Sequence, residues 1–141
     1  MHIRLRTDSV LLSLAVLLNC SWSYTPVFAA QTLVGWGNNN NLQTDIPTGL
    51  TNLISFSSGV LHSLALNSDG TGTGWGDNSS GQTNLTFLTG LAAVSGGETF
   101  SLALRSNGTV VVRGNLDVPP ANLSNVIAIA AGWNHALALR Q

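Results

Sequence analysis

From Leu53 onward, apolar and polar positions come in short runs broken by glycine-bearing turns, at a spacing that suits strands and leaves no room for a helix. In "HSLALN", Leu64 and Leu66 fall on one face of an extended strand and Ala65 on the other. The same period of two sets Leu102 and Leu104 against Ala103, and Leu137 and Leu139 against Ala138. A strand with leucine on one face and alanine on the other is apolar on both, so its sheet must be covered on two sides. A second kind of run, "LISFSSG" from Leu53, "LAAVSGG" from Leu91 and "VIAIAAG" from Val126, predicts one more strand before each of these. Asp69-Gly70 and Asn107-Gly108 follow two of the leucine runs and are hairpin signals, because both pairs tolerate positive φ. Gly or Pro interrupts most windows long enough to hold an amphipathic helix.

The runs recur as a unit. "SGVLHSLALNSDGTGTGWG", Ser58 to Gly76, aligns without a gap with "GGETFSLALRSNGTVVVRG", Gly96 to Gly114, and "AGWNHALALRQ", Ala131 to Gln141, repeats its first half. Gly59, Gly97 and Gly132 are equivalent at spacings of 38 and 35, and Gly37, Gly76 and Gly114 at spacings of 39 and 38. A period of this size belongs to a solenoid, a propeller or a stacked array, and the hairpin content makes the unit β. The sequence opens on the second half of a unit, Leu33 to Gly37, and closes on the first half of one; joined, the two complete a third unit. The expected fold class is therefore all-β, with three β-propeller-type repeat units. Propellers typically close with four to eight blades, so three units imply an incomplete propeller, a truncated one, or one completed by association of copies.

The first thirty residues follow a different rule. His2, Arg4 and Arg6 precede the apolar run Val10 to Leu18, and the small residues of "VFAAQ" follow, which is the order of a secretory signal peptide with cleavage after Ala29. This run of nine residues falls well short of the ~20 of a spanning helix. We read residues 1–29 as a signal peptide and residues 30–141 as the repeat domain, secreted or periplasmic; Cys20 raises lipid attachment as an alternative. Beyond Ala29 there is no cysteine and no lysine, so packing must supply the stability that disulfides give many small exported domains. Asp45, Asp69, Asp77, Glu98 and Asp117 stand against Arg105, Arg113 and Arg140, which leaves no basic patch for nucleic acid.

Gly59, His62 to Leu66, Asp69 to Thr71 and Trp75 to Gln82 spell Gly-x-x-His-Ser-Leu-Ala-Leu, Asp-Gly-Thr and Trp-Gly-x-Asn-x-x-Gly-Gln. This pattern resembles the repeat of the regulator of chromosome condensation family, whose fold is a β-propeller, over essentially all of Leu33 to Gln141. The linker "QTDIPTGLTNL" is similar to that of the family's short-repeat secreted branch, which includes propeller-type β-lactamase inhibitory proteins. Four departures stand out. Arg113 replaces the tryptophan, Phe100 the histidine and Leu42 the glycine before Gln43, while the last linker reads "LDVPPANL". Guanine-nucleotide exchange, the activity associated with the family's eponym, needs a cytosolic or nuclear partner that an exported chain would not meet.

Candidate chemistry is sparse. His62 and His135 occupy the same place in two units, but Phe100 fills it in the other, and zinc requires three or four converging donors; the position reads as framework, with no metal and no cofactor expected. No Ser-His-Asp set has a nucleophile motif around it, and "GWGDNSSG" lacks the lysine of a phosphate loop, so no catalytic residue is assigned. Trp36 and Trp75 belong to the repeat framework and are expected in the core. Sequons at Asn78, Asn84, Asn107 and Asn122 are of the kind that Asn-rich turns produce by chance. The resemblance implies that the variable pair ahead of the histidine position, Val60-Leu61, Glu98-Thr99 and Trp133-Asn134, reaches toward a protein partner. Only Trp133 supplies an aromatic anchor there. The functional reading is a non-enzymatic exported binding scaffold for a protein partner, with a possible homo-oligomer. The alternatives are a structural piece of a larger propeller or surface assembly and, third, a carbohydrate-binding or hydrolytic module using Trp133.

Overall fold

A computed structural model describes residues 32–141; the expected signal peptide and Cys20 lie outside the described residues. Eight strands form three antiparallel sheets in chain order, and no helix occurs among the described residues. The first sheet holds β1 (Leu53–Ser58), β2 (His62–Asn67) and β3 (Gly72–Gly76), and the second holds β4 (Leu91–Gly96), β5 (Phe100–Arg105) and β6 (Val110–Gly114). The third has two strands, β7 (Val126–Ala131) and β8 (Ala136–Arg140). The middle strand of each complete sheet is the Leu-Ala-Leu strand, as the two-faced apolar pattern requires. The second sheet lies between the other two, with β4 against β1 and β2, and β7 against β4 and β5.

Turn chemistry fixes the registers. Gly70 and Gly108 take positive φ (78° and 80°) at the tips of the second hairpins, where Asp69 and Asn107 each accept a hydrogen bond from the backbone N–H two residues on. The pairing that results, Ala65 opposite Thr73 and Ala103 opposite Val111, is the same in both sheets. Each first hairpin is pinched where a glycine N–H donates to the carbonyl three residues on, Gly59 to His62, Gly97 to Phe100 and Gly132 to His135, at 2.8–2.9 Å. The ring of that third residue lies on the glycine itself, so close that an added Cβ would meet it at about 2.3 Å in all three units.

The core sits at the junction of the first two sheets. Leu64 and Leu66 of β2 pack with Leu85 and Leu88 of the linker, Leu91 and Val94 of β4, and Ala103 of β5, with Val111 of β6 against them. Hydrogen bonds repeat across both junctions. Gly96 N–H donates to Ser57 Oγ and Ala131 N–H to Ser95 Oγ, at 3.0 and 2.9 Å, while Leu91 N–H reaches Gly70 and Val126 N–H reaches Gly108.

Leu33 to Trp36 line a groove on the first sheet with Phe56, Ser63 and Trp75. Two expectations are corrected. Cover on both faces holds for β2 and β5 but fails for β8, which is exposed along its whole length, since no further sheet packs on it among the described residues. Trp36 is not core: it is 85% exposed, because the strand pair over which it would fold is not beside it. Two departures from the repeat pattern, by contrast, are absorbed locally. Leu42 adopts the left-handed φ (61°) that Gly81 takes in the next unit, at a cost of about 1–2 kcal/mol. Arg113 Nε donates to the carbonyl of Asn84 in the preceding linker, much as the Trp75 indole N–H donates to Gln43.

The glycine contacts can be tested by a graded series. Phe100 is buried and cannot retreat from a new methyl group, whereas His135 is exposed and can swing away. Gly97→Ala is expected to cost about 2–3 kcal/mol and Gly132→Ala under about 1 kcal/mol. Chemical denaturation reads the difference; equal costs at the two sites would show that the ring contact does not set the price.

Candidate functional site

The three variable pairs are the tips of the first hairpins, and the backbone ties them into a row. Val60 N–H donates to the Gly97 carbonyl at 3.1 Å, and Glu98 N–H donates to the Trp133 carbonyl at 3.0 Å. The first two tips are also fastened to the ends of their own sheets, where the Leu61 carbonyl accepts from Asp77 N–H and the Thr99 carbonyl from Asn115 N–H. Side chains are thus free while their backbone is not. Val60, Trp133 and Asn134 are exposed, and Leu61, Glu98 and Thr99 half-buried. Trp133, 67% exposed, stands at the end of the row on the third sheet.

Beneath the row lies a pair that the sequence alone did not reveal. His62 Nε2 and Ser101 Oγ share a hydrogen bond of 2.9 Å between neighbouring sheets, with both residues buried. The alignment offered the signal, since Ser63 and Ser101 follow the ring position in two units and Ala136 in the third. Ser101 has no exposed surface, so no substrate reaches its hydroxyl, and the pair joins sheets. Burial lowers the His62 pKa below its ordinary value of 6.5, opposed by the Asp77 carboxylate. Nδ1 of the ring has no hydrogen-bond partner among the described residues, so a second ring proton would be buried without an acceptor. His135, by contrast, is exposed on the third sheet.

Carboxylates in the row's surroundings serve turns. Asp77 accepts from Ser79 N–H and Oγ and from Gln82 Nε2, and the Ser79 backbone bond is the main cause that holds its pKa below the usual value. Asp69 is lowered likewise, chiefly by the Thr71 hydroxyl. No group of three or more His, Cys, Asp or Glu side chains is placed to hold a metal ion among the described residues. Nor, among them, is any helix long and apolar enough to cross a membrane.

Comparison with known proteins agrees with this geometry. Residues 53–82 match the regulator of chromosome condensation (RCC1) repeat. No curated protein is similar enough in sequence to count as a relative. Among solved structures, the chain is similar in fold to Prp20p of Saccharomyces cerevisiae, at 21% identity and a TM-score of 0.64 over 75% of this chain and 38% of that one. The ectodomain of the receptor kinase CR4 from Physcomitrella patens gives 23% and 0.54, over 63% of this chain and 26% of that one. Human WBSCR16 gives 21% and 0.52, over 62% and 32% respectively. The chain thus spans less than two fifths of the length of the structures it matches.

Neutral burial of His62 gives a sign for the pH dependence. Stability is full above the unfolded value near 6.5 and is lost as pH falls through the lowered folded value. Thermal unfolding of the native chain between pH 7 and pH 5 should lose several degrees more than that of His62→Phe, which copies the ring at Phe100. Asp69 and Asp77 titrate below that window. Parallel pH profiles for the two proteins would show that His62 contributes nothing to acid sensitivity. Repeated sheets, matched registers and the likeness to solved structures give an all-β, propeller-type fold, within which residues 53–82 match the regulator of chromosome condensation (RCC1) repeat.

Proposed function

We propose that this chain is an exported, non-enzymatic scaffold that binds a protein partner along the row of hairpin tips, with Trp133 as the anchor. The observation that carries the reading is the contrast at Trp133, whose side chain is open to solvent while its carbonyl is held by Glu98 N–H. A large amphipathic ring on a fixed backbone loses little freedom on binding, which is why tryptophan dominates the energy of many interfaces. Val60, Leu61, Glu98, Thr99 and Asn134 would supply the surrounding contacts. Prp20p, similar in fold, has binding properties to Gsp1p and histones, so the architecture supports protein recognition even though those partners need not be shared. Export rests on the order of basic, apolar and small residues in positions 1–29.

A second reading, a structural piece of a larger assembly with no ligand of its own, draws on the exposed apolar side chains at both ends of the sheet series. One pair of measurements separates the two. Proteins retained by the immobilised chain from the fluid around its host are quantified against Trp133→Ala, and the thermal midpoint of each chain is recorded. Loss of a specific partner by about 30-fold or more, with an unchanged midpoint, is expected for an anchor worth about 2 kcal/mol. Equal retention by both proteins would remove Trp133 from the site and leave the structural reading.

A further inference from the structure

We propose that a pocket beside the second hairpin turn of the first sheet binds a guanidinium group, supplied by a ligand in the place where the other two units carry an arginine of their own. The pocket lies at the opposite end of β2 from the hairpin tips, and the inference does not depend on their partner-binding reading.

The three sheets differ at one register position. Leu53, Leu91 and Val126, which begin the first strand of each sheet, pair with Asn67, Arg105 and Arg140 respectively. In the third sheet the arginine folds back along the sheet end, and Arg140 Nε donates to the Ser124 carbonyl at 3.0 Å. The counterpart of that carbonyl in the first unit belongs to Thr51. The two are presented alike: Asn52 and Asn125, the residues that follow them, share φ 54°, and each accepts a backbone bond at its own carbonyl, from Ser68 N–H and Gln141 N–H. Asparagine at position 67 is too short to make the bond that Arg140 makes. Where an arginine would lie there is a pocket of about 110 Å³, lined by Gly49, Thr51, Asn52, Asn67, Ser68 and Asp69.

What the pocket offers is acceptors. Asn67 gives its Nδ2 to the Thr71 hydroxyl at 3.0 Å, while its Oδ1 is buried with no hydrogen-bond partner among the described residues. A buried acceptor left without a donor is costly, so this atom marks where a donor is wanted. Asp69 stands where the second unit has Asn107, so the first unit both loses the positive charge of the other units and gains a negative one. Thr71 N–H and hydroxyl both donate to Asp69 Oδ1, at 2.9 and 2.6 Å, as the same groups of Thr109 do to Asn107, and Asp69 Oδ2 takes part in neither bond. These bonds hold the carboxyl below its ordinary pKa and therefore charged at neutral pH. A guanidinium is the complement of such a set, being planar, always charged, and made of donors alone. A calcium ion fits it poorly, because calcium takes about six to eight oxygens and this wall holds a single carboxylate.

Amide NMR spectra of the isotope-labelled protein, as its host produces it, test this by titration with agmatine, with butylamine and calcium chloride as controls. Agmatine is expected to shift the Asn67 side-chain amide and the Ser68 and Asp69 backbone amides with millimolar saturation, and the controls to leave them in place. Asn67→Arg installs the residue of the other two units; it should keep the thermal midpoint and abolish the shifts. Asp69→Asn, which can hold the turn as Asn107 does, should weaken binding about tenfold, and it decides the matter if the first variant does not fold. A blocked arginine amide identifies the source: tighter binding than agmatine supports the site as a receptor for a partner's arginine side chain, and weaker binding supports it as a receptor for a free guanidino compound. Absence of any shift with agmatine would overturn the proposal. So would an equal response to butylamine or calcium, or shifts that persist unchanged in Asn67→Arg and Asp69→Asn, which would place binding elsewhere.

Discussion

Each unit of this chain is organised by a ring resting on a glycine. At Gly59, Gly97 and Gly132 a Cβ would stand about 2.3 Å from the ring three residues later, and only the absence of that carbon lets the first hairpin pinch shut. The pinch sets the direction of β2, β5 and β8, which run on from the ring residue or just beyond it, and with it the side of each sheet on which the leucines stand. It also sets where the two tip residues emerge. The contact is one of shape: histidine, phenylalanine and histidine fill it in turn, so what the position requires is a flat ring of moderate size. Where the ring is buried, as at His62, its polar edge acquires a second use and is shared with Ser101 of the next sheet.

The arrangement of strands within a unit was legible in the sequence because it depends on features that act locally. Asp69-Gly70 and Asn107-Gly108 carry their turn in their backbone preferences, and the alternation of Leu and Ala carries the two-faced strand. How units meet was less legible, because a junction is made by residues far apart in the chain. Ser57 looks like any polar strand residue until its hydroxyl is seen receiving Gly96 N–H. Trp36 and Trp75 occupy one place in the repeat, yet one is exposed and the other donates to Gln43, since the difference lies in which neighbour is present and not in the residue. For the tips, sequence identified the variable pairs, but not that backbone bonds from Val60 and Glu98 string them into one row.

The departures from the repeat sort by the same distinction. Leu42 and Arg113 are substitutions whose task can be done by another chemical group, a leucine tolerating a left-handed backbone and a guanidinium N–H reaching a carbonyl as an indole would. The last linker is different in kind. Asn39 and Asn78 each accept the N–H five residues on, from Thr44 and Thr83, and so build one cradle twice; "LDVPPANL" has no asparagine at the matching place and is shorter. The groove lined by Leu102, Val112 and Ala138 opens beside this linker.

The tip row is held by the same junctions that hold the sheets, since Val60 and Glu98 each donate to a carbonyl of the following unit. Any contact that tightens the third sheet against the second therefore also steadies Trp133, whose carbonyl is the last acceptor in the row.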